Sequence, residues 1–272
     1  MRDRPKTFIA GGGLGDCVLI LNKFRQLAAP DSRLIYYVAE KQSNSQNVIR
    51  EFWESQNVPH EILLVPSVST PLNHYARSST RKLNPLIYGM GIVLVEKWKW
   101  ALYPFDAFAT PYLGLAHDPP PDYGRYFVVQ SDAGTMKYRG HKNWLHTGWI
   151  EDFVNGARGA GLKCVLVGTR DVGIRNADYQ HFTIPLRKLF GILKGAEFVL
   201  GLQGFTTLVA LSMGKRVLLS KENFRVIVNY FHPRWFRHGR IFNEPNRWPP
   251  SKTTKLLNWA LAGGSVSPAA RS

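Results

Sequence analysis

The chain has 272 residues, 44% of them hydrophobic, enough for one large domain or two ordinary ones with real cores, which excludes a disordered protein. Its 35 Lys and Arg against 19 Asp and Glu leave a net charge of +16, which implies a polyanionic neighbour: nucleic acid, an anionic membrane or a phosphorylated glycan. No segment reaches the ~20 apolar residues of a membrane span, the basic start lacks the apolar run of a signal peptide, and Cys17 and Cys164 lie inside apolar runs, so a cytoplasmic protein without a disulfide framework is expected.

In chain order, "TFIAG" reads as a strand that runs into the glycine turn "GGGLGD". A helix is expected from about Asp16 to Ala28, because Val18, Leu19, Leu21, Phe24 and Leu27 fit one helical face, and Pro30 closes it. "RLIYYVA" is a second strand, "NSQNVIREFWES" a second helix and "HEILLVP" a third strand. The polar, basic stretch "SVSTPLNHYARSSTRKLN" has no periodicity and reads as a long surface loop. "PLIYGMGIVLVEKWKWALYPF" reads as a buried strand or helix with snorkelling lysines in preference to a lipid-facing segment. The three prolines of "HDPPPD" form a stiff connector and mark the domain junction.

Beyond the junction the alternation restarts. "RYFVVQ", "KCVLVG", "EFVLGL" and "KRVLLS" read as strands, with "WIEDFVNGARGAG", "LRKLFGILKGA" and "GFTTLVALSMG" as helices among them. Strands alternating with helices argue for parallel, doubly wound α/β sheets, one in each half. The tail from Asn223 to Pro250 interleaves arginines with aromatics, which suits either a stacking surface for bases or the packing of a cleft. "SKTTKLLNWALAG" is a last helix, followed by a disordered tail. The expected domains are residues 1–117, a linker at 118–122, residues 123–250, and a terminal helix and tail at 251–272.

The glycine turn carries the chemistry. A dinucleotide fingerprint G-x-G-x-x-G would use Gly11 and Gly13, but Asp16 stands at the third glycine, where a carboxylate repels a pyrophosphate. The same carboxylate suits another task, taking a proton from an attacking hydroxyl. No metal-ligand spacing, hydrolase elbow or Walker-type phosphate loop occurs, so no metal is expected. Asp171 in "GTRD" reads as pairing with a neighbouring arginine in preference to contacting a nucleotide.

"FIAGGGLGDCVLIL" resembles the start of the lipopolysaccharide heptosyltransferase (ADP-heptose) group of GT-B glycosyltransferases, whose first strand ends in an "LGD" turn. "FVVQSDAG" with "HKNW", "LKCVLVGTRD", and "LFGILKGAEFVLGLQGFTTLVALSMGKRVLL" resemble its second-domain elements in the expected order. The resemblance implies a GT-B fold of two Rossmann-like domains facing a cleft, with an acceptor in the first and a nucleotide-sugar donor in the second. It places the catalytic base on Asp16 and the donor contacts on Lys142, Gly168, Gln203, Gly204, Thr206 and Thr207. The acceptor is expected to meet Gly12, Gly13 and, in the long basic loop that the resemblance does not cover, His74, Arg77 and Arg81, with a solvated loop residue the other reading of His74. Gln203 and Leu208 stand where the family has an acidic turn residue and a histidine, which puts the heptose in doubt but not a nucleotide-sugar co-substrate.

The expected reaction is an inverting transfer to a hydroxyl on a polyanion. The charge and the short chain favour hydroxymethylated bases in DNA, as in phage enzymes, with a lipopolysaccharide core at a peripheral membrane contact as the alternative. A non-catalytic nucleic-acid-binding protein on a degenerate glycosyltransferase scaffold is the alternative of another class.

Overall fold

The computed structural model of the chain describes residues 7–40, 45–67, 92–95, 101–102, 113–132, 147–202, 204–220, 238–242 and 250–262. The chain separates into two compact units, divided between Ala116 and His117.

In the first unit, β1 (Thr7–Gly11), α1 (Leu14–Leu27), β2 (Arg33–Ala39), α2 (Gln46–Ser55) and β3 (His60–Val65) alternate as the sequence predicts. β1 pairs parallel with β2, from Thr7 opposite Arg33 to Gly11 opposite Tyr37, and β2 pairs parallel with β3. β4 (Ile92–Val95) and β5 (Ala101–Leu102) complete the order β3-β2-β1-β4-β5, each antiparallel to the strand before it. This sheet is therefore mixed where the alternation pointed to a wholly parallel one. For β5 the cause is chain length: a parallel pair needs a crossover of about a dozen residues, and only residues 96–100 separate it from β4. Phe8 meets Phe24 of α1 edge-on at 4.8 Å, and Tyr36 and Phe52 pack on Trp53, all buried.

The second unit contains β6 (Tyr126–Gln130), α3 (Thr147–Gly159), β7 (Lys163–Gly168), β8 (Tyr179–Phe182), α4 (Leu186–Gly195), β9 (Phe198–Gly201), α5 (Phe205–Ser212), β10 (Arg216–Ser220), β11 (Gly239–Phe242) and α6 (Pro250–Leu261). Its strand order is β11-β10-β9-β6-β7-β8 and every pairing is parallel. Counted from β6 this is the 3-2-1-4-5-6 order of dinucleotide-binding domains, read from the other edge. β6 lies inside the sheet with all five residues buried, as a parallel strand covered on both faces must be. Phe127 and Val129 point into a core with Phe153 of α3, Phe198 of β9 and Leu256 and Leu257 of α6. Phe127 stacks on Phe198 with ring centres 5.0 Å apart. The two edge strands, β8 "YQHF" and β11 "GRIF", escape the sequence reading because they are short and lack an apolar run.

The proline segment lies along α4. Asp118 donates its amide to the Arg187 carbonyl at 3.1 Å, and its carboxylate meets the Arg187 guanidinium at 3.2 Å. Gly191 admits this approach, since a Cβ there would stand 2.5 Å from the Asp118 carbonyl oxygen. Gly191→Ala is accordingly expected to lower the melting temperature. The helix-propensity gain of about 1 kcal/mol is outweighed by a backbone clash that costs about 1–3 kcal/mol. Calorimetry checks the sign.

Candidate active site

β1 delivers the chain into a turn that only glycine can make. Gly12 has φ 144°, and a Cβ on it would stand 2.3 Å from the Asp16 Oδ2. Gly12 thus seats the Asp16 carboxylate. α1 begins at Leu14, two residues before the start expected from its pattern, because Gly13 is the N-cap and Asp16 reaches back to it. The Gly13 amide donates to Asp16 Oδ2 at 2.8 Å, satisfying one of the amides that a helix start leaves open. The Gly13 carbonyl accepts from the Tyr36 hydroxyl at 3.1 Å, and the Cys17 thiol donates to that hydroxyl at 3.4 Å. The Gly12 amide donates to the Tyr37 carbonyl at 3.1 Å, so β2 fixes the turn from its buried side.

Asp16 is half-buried, and no further hydrogen bond reaches its carboxylate among the described residues. Desolvation by the surrounding protein pushes the carboxyl from its ordinary 3.8 to about 7, against the weaker pull of the Gly13 amide. A carboxyl in that range exchanges a proton at neutral pH, which is what a general base requires. Burial drives both free thiols, Cys17 and Cys164, upward, so neither is a nucleophile.

In the second unit the strand order reverses between β6 and β9, and open α/β sheets bind ligands outside the carboxyl ends of the strands at such a point. α5 starts there. Its N-cap Gly204 is extended and donates its amide to the Thr207 hydroxyl at 3.1 Å, and that hydroxyl donates to the Leu202 carbonyl at 2.9 Å. A helix start of this kind favours an anion. Beside it lies Gln130, only 4% exposed, whose amide nitrogen donates to the Asp132 carbonyl at 2.9 Å while its Oε1 is buried without a partner among the described residues. Gly201 leaves room for it, since a Cβ there would stand 2.8 Å from Gln130 Cβ and 3.1 Å from Thr207 Cγ2. A buried orphan acceptor is rare in a folded protein, and this one adjoins the first turn of α5.

The sequence-predicted residues sort into three sets. Gly12, Gly13 and Asp16 come together at the carboxyl end of β1, and Gly168, Gly204, Thr206 and Thr207 lie along the carboxyl end of the second sheet. Lys142, Gln203, His74, Arg77 and Arg81 lie outside the described residues. Asp171 accepts from the Gly173 amide at 2.7 Å, a backbone partner in place of the arginine expected.

No protein-family model and no curated protein matches the sequence. Solved structures do match. The ADP-heptose LPS heptosyltransferase II of E. coli superposes with a TM-score of 0.56 at 10% identity, over 94% of this chain and 98% of that one. The glycosyl transferase family 9 protein of Veillonella parvula DSM 2008 gives 0.50 at 14% identity, over 94% and 92%. The iron-containing dodecameric glycosyltransferase TibC of enterotoxigenic E. coli H10407 gives 0.52 at 16% identity, over 92% of this chain and 66%, just under two thirds, of TibC. The fold is GT-B.

The sequence reading missed Tyr36, which supports the turn under Asp16, and Gln130 and Asp132 at the end of β6. Tyr36 sits mid-strand in an apolar run, and Asp132 stands in "SDAG", which passes for a loop of small residues. Among the described residues no group of three or more His, Cys, Asp or Glu could hold a metal ion, and no helix is long and apolar enough to cross a membrane. Tyr36→Phe is expected to cost about 1 kcal/mol by removing the donor to the Gly13 carbonyl. It should also broaden the position of Asp16, read as a downward shift in the pH at which Asp16 titrates.

Proposed function

We propose that the protein is a nucleotide-sugar-dependent, inverting glycosyltransferase of heptosyltransferase-like type, acting on a hydroxyl of a phosphorylated glycan such as a lipopolysaccharide core. The observation that carries this reading is Asp16: a carboxyl seated on the Gly12 turn, pushed to about 7, with one oxygen occupied by the Gly13 amide. The GT-B fold supports it, and so do the fold neighbours named as heptosyltransferase and family 9 enzymes. Asp16 takes the proton of the acceptor hydroxyl as its oxygen attacks the anomeric carbon. The bond from that carbon to the diphosphate breaks with its electron pair going to the leaving oxygen, and the configuration inverts. The start of α5 stabilises the departing diphosphate, with Thr207 holding its geometry. Lys142, by the family resemblance, adds the cation.

Hydroxymethylated DNA, the other polyanion that a charge of +16 fits, draws on the charge, the short chain and the arginine-aromatic tail, whereas the fold neighbours favour the glycan. The test is to incubate the protein with lipopolysaccharide core and with hydroxymethylated DNA, each with a mixture of nucleotide sugars including ADP-heptose, and to weigh the products. A sugar-sized mass gain on the core supports the reading; a gain on DNA alone replaces the acceptor. A protein that transfers nothing and whose melting temperature no nucleotide sugar raises is a binding protein on an inactive scaffold.

A further inference from the structure

Asp132 is a buried carboxylate, 3% exposed, just past the carboxyl end of β6, on the carboxyl edge of the sheet, where the donor reading places a diphosphate at the start of α5. A carboxylate facing that group would oppose it. Both of its oxygens are turned away instead: Oδ1 accepts from the Thr169 amide at 2.9 Å, and Oδ2 accepts from the Thr169 hydroxyl. The surroundings are built to keep it there. Gln130 holds the Asp132 carbonyl, and the Ser131 amide donates to the Val167 carbonyl at 3.1 Å. Gly168 has no space for a side chain, because a Cβ would stand 2.5 Å from Asp132 Oδ1 and 2.7 Å from Ser131 Oγ. On the far side Thr183 donates its amide to the Gly168 carbonyl at 3.2 Å and its hydroxyl to the Thr169 carbonyl at 3.3 Å. Thr183 holds φ 53° to do so, a strained conformation for a β-branched residue that persists only where its surroundings impose it.

We propose that Asp132 is a positioning residue of the donor site: its carboxylate latches the turn at Gly168–Thr169 to the end of β6, and fixes the wall against which the nucleoside diphosphate binds. Gly168, which the family resemblance makes a ligand contact, serves the latch by leaving space for the carboxylate. The inference rests on the donor reading above, and its experiment separates the two. Full-length protein is titrated calorimetrically with ADP, UDP, GDP, CDP and dTDP at a temperature where each variant is folded. The tightest ligand is then titrated into Asp132→Ala, Asp132→Asn, Gly168→Ala and Thr169→Val.

Loss of the latch displaces the loop, so Asp132→Ala and Gly168→Ala are expected to weaken binding about tenfold or more. Asp132→Asn keeps an acceptor for the Thr169 amide and is expected to stay within roughly threefold of wild type. Thr169→Val is expected to weaken binding on its own and to add little in the Asp132→Ala background, as two ends of one interaction do. Binding unchanged in Asp132→Ala and Gly168→Ala, with only a lower melting temperature, overturns the latch and leaves the donor reading standing. Wild-type protein that binds none of the five diphosphates overturns the donor reading and the latch with it. If alanine at position 132 prevents folding, Gly168→Ala and Thr169→Val decide by the same criterion.

Discussion

Asp16→Asn is expected to lower glycosyl transfer by about 10²–10⁴-fold, the usual range for loss of a general base, while the protein keeps or gains stability at pH 8. The two halves of this result have one cause. The fold raises the Asp16 carboxyl from 3.8 to about 7 by desolvation, so it favours the protonated form. The stability this group contributes is fully present below about pH 4 and is lost as pH rises through about 7. Asparagine carries no charge to desolvate and still offers an oxygen to the Gly13 amide, so the variant should melt no lower than wild type at pH 8 and close to it at pH 4. Activity runs the other way: transfer by the wild type should rise with pH to a plateau, half-maximal near 7, and the variant should lose that dependence. A pH–rate profile and melting curves at both pH values measure it. An Asp16→Asn variant that transfers at most of the wild-type rate would remove Asp16 from the mechanism; low activity with a collapsed fold would make its role structural.

The sequence made the strands legible where they are buried on both faces. "RLIYYVA" and "KCVLVG" are strands over the whole of their apolar runs, because a parallel interior strand must be apolar throughout. It left the two edges of the second sheet illegible for the same reason: Tyr179–Phe182 and Gly239–Phe242 add to the sheet by backbone pairing, which leaves no mark in the side chains. Direction is also hidden, since a strand reads the same whether it runs with β1 or, like β4, against it. Asp16 stood out as a candidate base because a single carboxylate among glycines breaks a familiar pattern. What holds it could not: Tyr36 is 20 residues further along, and only the β1–β2 register brings its hydroxyl to the Gly13 carbonyl. Asp132 was hidden for a related reason, because its partner Thr169 lies one strand over and the pairing of β6 with β7 has to be known first.

Thr207→Val should produce the largest loss of stability, and it tests the donor end of the site. The Thr207 hydroxyl is buried, accepts from the Gly204 amide and donates to the Leu202 carbonyl, and so ties the end of β9 to the first turn of α5. Valine has the same shape but neither bond, and two polar backbone groups lose their partner at once. At about 1–3 kcal/mol for each group left unsatisfied, the loss is about 2–6 kcal/mol. For a unit of this size that corresponds to a fall in melting temperature of about 4–24 °C. Thr207→Ser keeps the hydroxyl and gives up only the buried methyl beside Gly201, so it should cost about 1 kcal/mol and keep its affinity for a nucleoside diphosphate. The valine variant, titrated well below its melting temperature, should bind the diphosphate at least about tenfold more weakly, since the helix start no longer holds its geometry. Equal affinity in the two variants would mean that the start of α5 is not where the diphosphate sits. The hydroxyl would then serve the fold alone.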